Sequence, residues 1–142
     1  MNKLLLIIIL CFSSLFVRGQ TLSILYAPID ARMGVRYDKQ AKIGYYASAS
    51  YGNCRYDEFY VEDHQKYSAG VSLYRGDRPG NYTFLSFGLS YHDYGRYNIT
   101  ETKALKPVSF DIGAGALIGK FIIGFAFDPN KWEGEIFTGF KF

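Results

Sequence analysis

Apolar and polar positions alternate along most of this chain with a period of two, the spacing of a strand whose successive side chains point to opposite faces. Ile43, Tyr45, Ala47, Ala49 and Tyr51 share one face of the first clear run, and Gly44, Tyr46, Ser48 and Ser50 the other. Tyr67, Ala69, Val71 and Leu73 repeat the pattern against Ser68, Gly70, Ser72 and Tyr74, as do Leu85, Phe87, Leu89 and Tyr91 against Ser86, Gly88, Ser90 and His92. Val108, Phe110, Ile112, Ala114, Ala116 and Ile118 alternate with Ser109, Asp111, Gly113 and Gly115. Gly119 and Lys120 interrupt that rhythm as a tight hairpin turn, because glycine accepts the positive φ such turns require. Phe121, Ile123, Phe125 and Phe127 follow, opposite Gly124, Ala126 and Asp128, and the last run sets Ile136, Thr138, Phe140 and Phe142 against Glu135, Phe137, Gly139 and Lys141. With shorter runs around Leu22 to Tyr26 and Met33 to Tyr37, eight strands are predicted.

The less apolar face decides the architecture. An antiparallel sheet with one face in water carries charged and polar side chains there, whereas here that face is mainly Gly and Ser with occasional charges. Small residues suit the narrow, side-chain-filled lumen of a closed barrel, and an apolar, aromatic outside suits lipid. Within hydrocarbon only helices and closed barrels pair every backbone group. The mature chain has no clean apolar stretch of about 20 residues, so strands would do the spanning. The predicted fold is therefore all-β, an eight-stranded antiparallel up-and-down transmembrane β-barrel. Short links at Asp38 to Ala41 and at Gly119 to Lys120 alternate with long ones at Asn53 to Lys66 and Asp93 to Pro107, and the link from Arg75 to Asn81 is intermediate.

The N-terminus has the order of a secretory signal peptide: Asn2 and Lys3, an apolar run from Leu4 to Phe12, then Ser13, Ser14 and Leu15 to Gly19. Val17 and Gly19 suit positions −3 and −1 of a cut before Gln20. The expected organisation is a cleaved leader over 1–19 and one barrel domain over 20–142. Leu10 is too large for a lipobox before Cys11, which argues against a lipid anchor. Cleavage removes Lys3 and Arg18 from the 16 basic residues and leaves 14 against 13 acidic ones, so no nucleic-acid footprint is expected. It also leaves Cys54 alone, with no internal disulfide.

The alternating segments and the last strand, EIFTGFKF, resemble the small eight-stranded bacterial outer-membrane β-barrels of the OmpA/OmpX type. That resemblance spans the mature chain and implies a Sec-exported protein of the bacterial outer membrane, surrounded by outer-membrane lipid. It also implies that Ile136, Phe140 and the terminal Phe142 form the signal read by the barrel-assembly machinery, with Thr138 a weaker occupant.

Arg32, Arg36, Asp38, Asp111, Glu135 and Lys141 fall on inward positions and are expected to form an internal ion-pair network, since buried charges persist when paired. A polar pore is the functional rival, but eight strands leave little more than room for side chains. Tyr56, Phe59 and Tyr60 lie in an acidic, aromatic link. They are candidates for a partner-binding loop, since aromatics dominate interface hot spots, and equally for the aromatic belt at a membrane surface. His92 with Asp93 and Ser90 suggests a hydrolytic triad only superficially, because neighbours along a strand face opposite ways. His64 and His92 lack metal-ligand spacing. GAGALIG, from Gly113 to Gly119, alternates along a strand and does not open a helix as a dinucleotide loop would. No catalytic, cofactor or metal residues are assigned.

The expected role is structural or loop-mediated interaction, without enzymatic activity, with an extracellular or membrane protein as the possible partner. Competing readings are a narrow small-molecule conduit, a soluble periplasmic or secreted barrel or sandwich, and a lipid-modifying enzyme dependent on His92.

Overall fold

A computed structural model describes residues 19–56, 59–95 and 106–142, without the side chains of residues 54–56, 59, 60 and 77. Eight strands run in chain order: β1 (Gln20–Ala27), β2 (Arg32–Lys39), β3 (Ile43–Tyr56), β4 (Phe59–Arg78), β5 (Asn81–Asp93), β6 (Val108–Ile118), β7 (Phe121–Asp128) and β8 (Glu133–Lys141). Each pairs antiparallel with the next, and β8 closes onto β1 through Leu22↔Phe140 and Ile24↔Thr138. The result is a closed barrel with no free sheet edge around its wall. The proposed leader, apart from Gly19, and residues 96–105 of the long β5–β6 link lie outside the described residues.

The alternation read from the sequence matches the two sides of the wall. Ile24, Val35, Tyr45, Val71, Phe87, Phe110, Ile123 and Phe140 are exposed on the outside, while Ser23, Arg36, Tyr46, Ser72, Ser86, Asp111, Ile122 and Phe137 are buried within. A one-residue slip of any strand would exchange these sets, so the pattern fixes the register. Tight turns close one end, the turn end, at 79–80 and 119–120, where Gly80 (φ 87°) and Gly119 (φ 62°) supply left-handed backbone. The opposite end, the loop end, carries the links after β1, β3, β5 and β7.

The expected long connection from Asn53 to Lys66 is not a loop. Most of it belongs to β3 and β4, whose pairing continues to Tyr56↔Phe59. A bulge hides this in the sequence: two steps along β3, Gly52 to Cys54, oppose three along β4, His64 to Val61. The extra residue inverts the alternation, so that Val61 is buried while Glu62 and Asp63 are exposed. β4 likewise runs on to Arg78, across a second irregularity between Arg75 and Arg78. That leaves the link from Arg75 to Asn81 as little more than a turn. The β3–β4 hairpin outruns its neighbours at the loop end, since β2 pairs with β3 only as far as Met33↔Tyr51 and β5 with β4 as far as Gln65↔Asp93.

Inside, the lumen is divided by chemistry. Toward the turn end Leu25, Phe84, Leu117, Ile122 and Phe137 form an apolar cluster, with Tyr74 and Tyr82 packed against it. Glycine opposite an aromatic ring makes this packing possible: a Cβ on Gly124 would lie 2.4 Å from Phe137 Cζ, and one on Gly115 2.5 Å from Phe84 Cζ. Most of the buried charged residues gather above this plug, whereas the buried Gln20 and Thr21 open β1 at the turn end.

Candidate functional site

At mid-height Arg36 lies between two rings, its Cζ 4.0 Å from the Tyr46 centroid and 4.1 Å from that of Phe137. Its guanidinium forks onto Asp38, Nη2 donating to Oδ1 at 2.8 Å and Nε to Oδ2 at 3.0 Å. The two residues are separated by two positions of β2, so both point inward, and the planar fork meets the carboxylate in bidentate fashion.

A larger cluster occupies the loop end of the lumen. Arg32 Nη2 donates to Glu133 Oε2 and Glu135 Oε1, both at 3.0 Å, and Nη1 lies 3.5 Å from Asp30 Oδ2. Lys66 Nζ reaches Asp111 at 2.9 Å and Glu135 at 3.3 Å, and Ser90 donates to the other Asp111 oxygen at 2.5 Å. In the turn before β2, burial pushes the Asp30 carboxyl above its usual range against the opposing pull of Arg32. Ala31 (φ 48°) and Trp132 (φ 55°) adopt left-handed backbone immediately before Arg32 and Glu133. That conformation costs a non-glycine residue about 1–2 kcal/mol, here at the two turns from which Arg32 and Glu133 enter the lumen.

His64 and His92 join this cluster to β6 and β7. Arg32 Nη1 is 2.7 Å from His64 Nδ1, His64 Nε2 is 2.9 Å from His92 Nδ1, and His92 Nε2 is 2.9 Å from Ser109 Oγ. The arginine can only donate, which makes His64 Nδ1 an acceptor and determines each following step. His64 Nε2–H donates to His92 Nδ1, His92 Nε2–H donates to Ser109, and the Ser109 hydroxyl donates to Asp128. Asp128 Oδ2 is also 3.3 Å from His92 Nε2. Both imidazoles are therefore neutral links in a relay from a guanidinium to a carboxylate. Tyr94 covers them, its ring centroid 4.7 Å from that of His64.

Of the six residues expected in an internal network, Arg32, Asp111 and Glu135 lie in this cluster and Arg36 pairs with Asp38 below it. Lys141 does not join them. It stands half-buried at the turn end beside a cavity of about 470 Å³ that Gln40, Lys42, Tyr74, Arg75 and Tyr82 also line, because β8 carries it most of the barrel's height away from Glu135. Ile136, Phe140 and Phe142 are exposed on the outer side. The side chains of Tyr56, Phe59 and Tyr60 lie outside the described residues, although their backbones belong to the extended hairpin. Ser90, His92 and Asp93 do not assemble as a triad: Ser90 turns to Asp111, and His92 meets Ser109 and Asp128 instead.

Sequence reasoning missed Asp30, His64, Lys66, Asp128 and Glu133 as members of one cluster. Three of them had a readable signal, since Asp128 stands on the inward side of its alternating run, Lys66 lies two positions from the inward Ser68 and Glu133 two from the inward Glu135. The histidines are 28 positions apart, and register alone makes them diagonal neighbours, His64 lying two positions along β4 from Lys66, the partner of His92. His64, His92 and Glu133 each place a ligand-type atom within 4.8 Å of the others. In comparisons with known proteins the chain matches no protein-family model, no curated protein and no solved structure.

Proposed function

We propose that this protein is a small bacterial outer-membrane β-barrel of the OmpA/OmpX type, exported by its N-terminal leader, with a structural or interaction role and no chemical step of its own. The observation that carries this reading is the exterior. Leu22, Ile24, Met33, Val35, Val71, Phe87, Leu89, Ile112, Phe125 and Ile136 are all exposed, on seven of the eight strands. In water so continuous an apolar surface would drive aggregation, whereas in a bilayer it is the required face. Aromatics gather toward both ends of this band, with Tyr26, Tyr51, Tyr67, Tyr91 and Trp132 toward the loop end and Tyr45, Phe121, Phe140 and Phe142 toward the turn end. Such girdles suit the two membrane interfaces. The polar ends of the loop-side girdle point the same way, Tyr51 donating to Asp63 at 2.7 Å and Tyr67 to Gln65 at 2.5 Å.

The Phe87→Arg variant tests the lipid-facing assignment. Its side chain is on the outer face near the middle of β5, where Arg at a bilayer midplane costs about 2–4 kcal/mol. Urea unfolding of the protein in phospholipid vesicles is expected to show that loss. If the outside faced water, the change would stay within about 0.5 kcal/mol, and the protein would be recovered without detergent.

The interaction role rests on the β3–β4 hairpin, which rises past both neighbouring strands and offers backbone edges a partner could pair with. Removing residues 53–60 is expected to preserve the altered gel migration of an unboiled barrel while abolishing crosslinks to its partner on whole cells. The excision stops short of His64 and Lys66 because both belong to the lumen cluster. Crosslinks that survive the excision would move the interaction to another surface.

A further inference from the structure

The loop end of the lumen holds a set of groups that its present hydrogen bonds do not fully use. We propose that His64, His92 and Glu133 form a binding site for one divalent transition-metal ion of the zinc class. The three come from β4, β5 and β8, and their ligand atoms lie within 4.8 Å of one another. Two imidazoles and a carboxylate are a donor set that zinc favours, with a fourth position left for water. The proposal concerns the lumen alone and does not depend on where the barrel resides.

Charge is the first argument. Among the described residues the buried charged groups comprise six carboxylates, Asp30, Asp38, Asp111, Asp128, Glu133 and Glu135, against three cations, Arg32, Arg36 and Lys66. Lys131, 5.1 Å from the Tyr94 ring centroid, brings one more positive charge to the rim. With both histidines neutral and every carboxylate ionised the group is two positive charges short, and burying unbalanced charge is costly, so the deficit calls either for protons on carboxyls such as Asp30 or for a bound cation. A divalent ion closes that difference.

Geometry is the second. The His64 and His92 rings are 16° from parallel with centroids 5.1 Å apart, and their facing nitrogens are 2.9 Å apart, so they meet edge to edge across a single proton. Two nitrogens on a tetrahedral zinc, each about 2.0–2.1 Å from it, lie roughly 3.3 Å apart. The histidine pair therefore needs to open by a few tenths of an ångström, with the rings pivoting so that their lone pairs converge, while Glu133, within 4.8 Å of them, closes in by up to about 1.5 Å.

The rest of the cluster can rearrange to accommodate the ion. When the ion takes His64 Nε2, the proton there moves to Nδ1, which then faces the Arg32 donor and repels it. Arg32 has somewhere to go. Asp30 Oδ2 is buried with no hydrogen-bond partner, 3.5 Å from Arg32 Nη1, and Arg32 Nε is also without one. Turning the guanidinium toward Asp30 and Glu135 would satisfy the orphaned oxygen and release Glu133 to the metal. With Glu133 ionised at the outset, no proton is gained or lost in this exchange.

Equilibrium dialysis of the folded protein, prepared without a polyhistidine tag, against zinc and cobalt(II) chloride is the test. One ion per chain is expected, with the cobalt form showing the intense visible absorption of a four-coordinate site. His64→Gln, His92→Gln and Glu133→Gln should each weaken binding by about tenfold or more. The absence of a saturable ion, or an ion retained undiminished by the His64→Gln/His92→Gln double variant, would overturn the proposal. Should the variants fail to fold, the native protein's cobalt spectrum decides. A four-coordinate spectrum supports the site, and weak six-coordinate absorption or none overturns it.

Discussion

Replacing Arg32 by methionine is expected to destabilise the barrel by about 3–5 kcal/mol, the usual consequence of removing one partner from a buried ion cluster. Methionine keeps most of the side chain's length and bulk, so lost packing contributes little and the effect is electrostatic. Glu133 and Glu135, each 3.0 Å from the guanidinium, would lose their shared counter-ion, and Asp30 its nearest cation. Lys66 would remain, but it is already divided between Asp111 and Glu135. Urea unfolding in the presence of a chelator, followed by tryptophan fluorescence or by gel mobility, measures the loss. Arg32→Lys should fall between the two, because an ammonium keeps the charge without the fork that spans two carboxylates. Adding Glu133→Gln and Glu135→Gln to the methionine variant should restore part of the stability, since the cost lies in the charges left behind. A methionine variant within about 1 kcal/mol of the native protein would mean that water, and not Arg32, balances these carboxylates.

Phe137→Ala is the second large effect expected, at about 3–5 kcal/mol for a buried phenylalanine that leaves a cavity. Phe137 is 1% exposed, packs at 6.1 Å from the Phe84 ring, and covers one face of Arg36. Its loss therefore opens the apolar plug and removes half of the aromatic sandwich that holds the arginine toward Asp38. Its cross-strand neighbour is Gly124, where an added Cβ would lie 2.4 Å from the ring. Gly124→Val alone should destabilise by overpacking, roughly 1–3 kcal/mol. In the Phe137→Ala background the ring is gone and only the Ala114 carbonyl oxygen, 2.8 Å from the added Cβ, still opposes the valine, so the double variant should lose clearly less than the two single losses combined. Strict additivity in a double-mutant cycle would show that the two positions do not share the same space.

The strands that carry the plug were legible because each residue's face follows from its parity along the chain. Phe137 between Ile136 and Thr138, or Ser86 between Leu85 and Phe87, needs no knowledge of the partner strand to be placed inside. The β3–β4 segment was not legible for the same reason. One extra residue in β4 reverses the parity between His64 and Val61, and an alternation that inverts within a few positions reads as a loop. Lys141 shows another limit of parity: it points inward, as expected, but parity carries no information about height along the barrel, and height separates it from Glu135.

The sequence by itself determined the strand count, the two faces of the strands it reads as alternating, the glycine turn at 119 and the inward placement of Arg36 and Asp38, because these depend on local geometry and on spacings of one or two residues. Only the tertiary structure decided which inward groups meet. Closure of β8 on β1, the stagger between strands and the bulge in β4 set how far each residue stands along the barrel axis. Those non-local quantities bring Arg32, His64, His92, Asp128 and Glu133 together from five strands. Charge and hydrogen bonding then select among residues that pattern alone leaves equivalent.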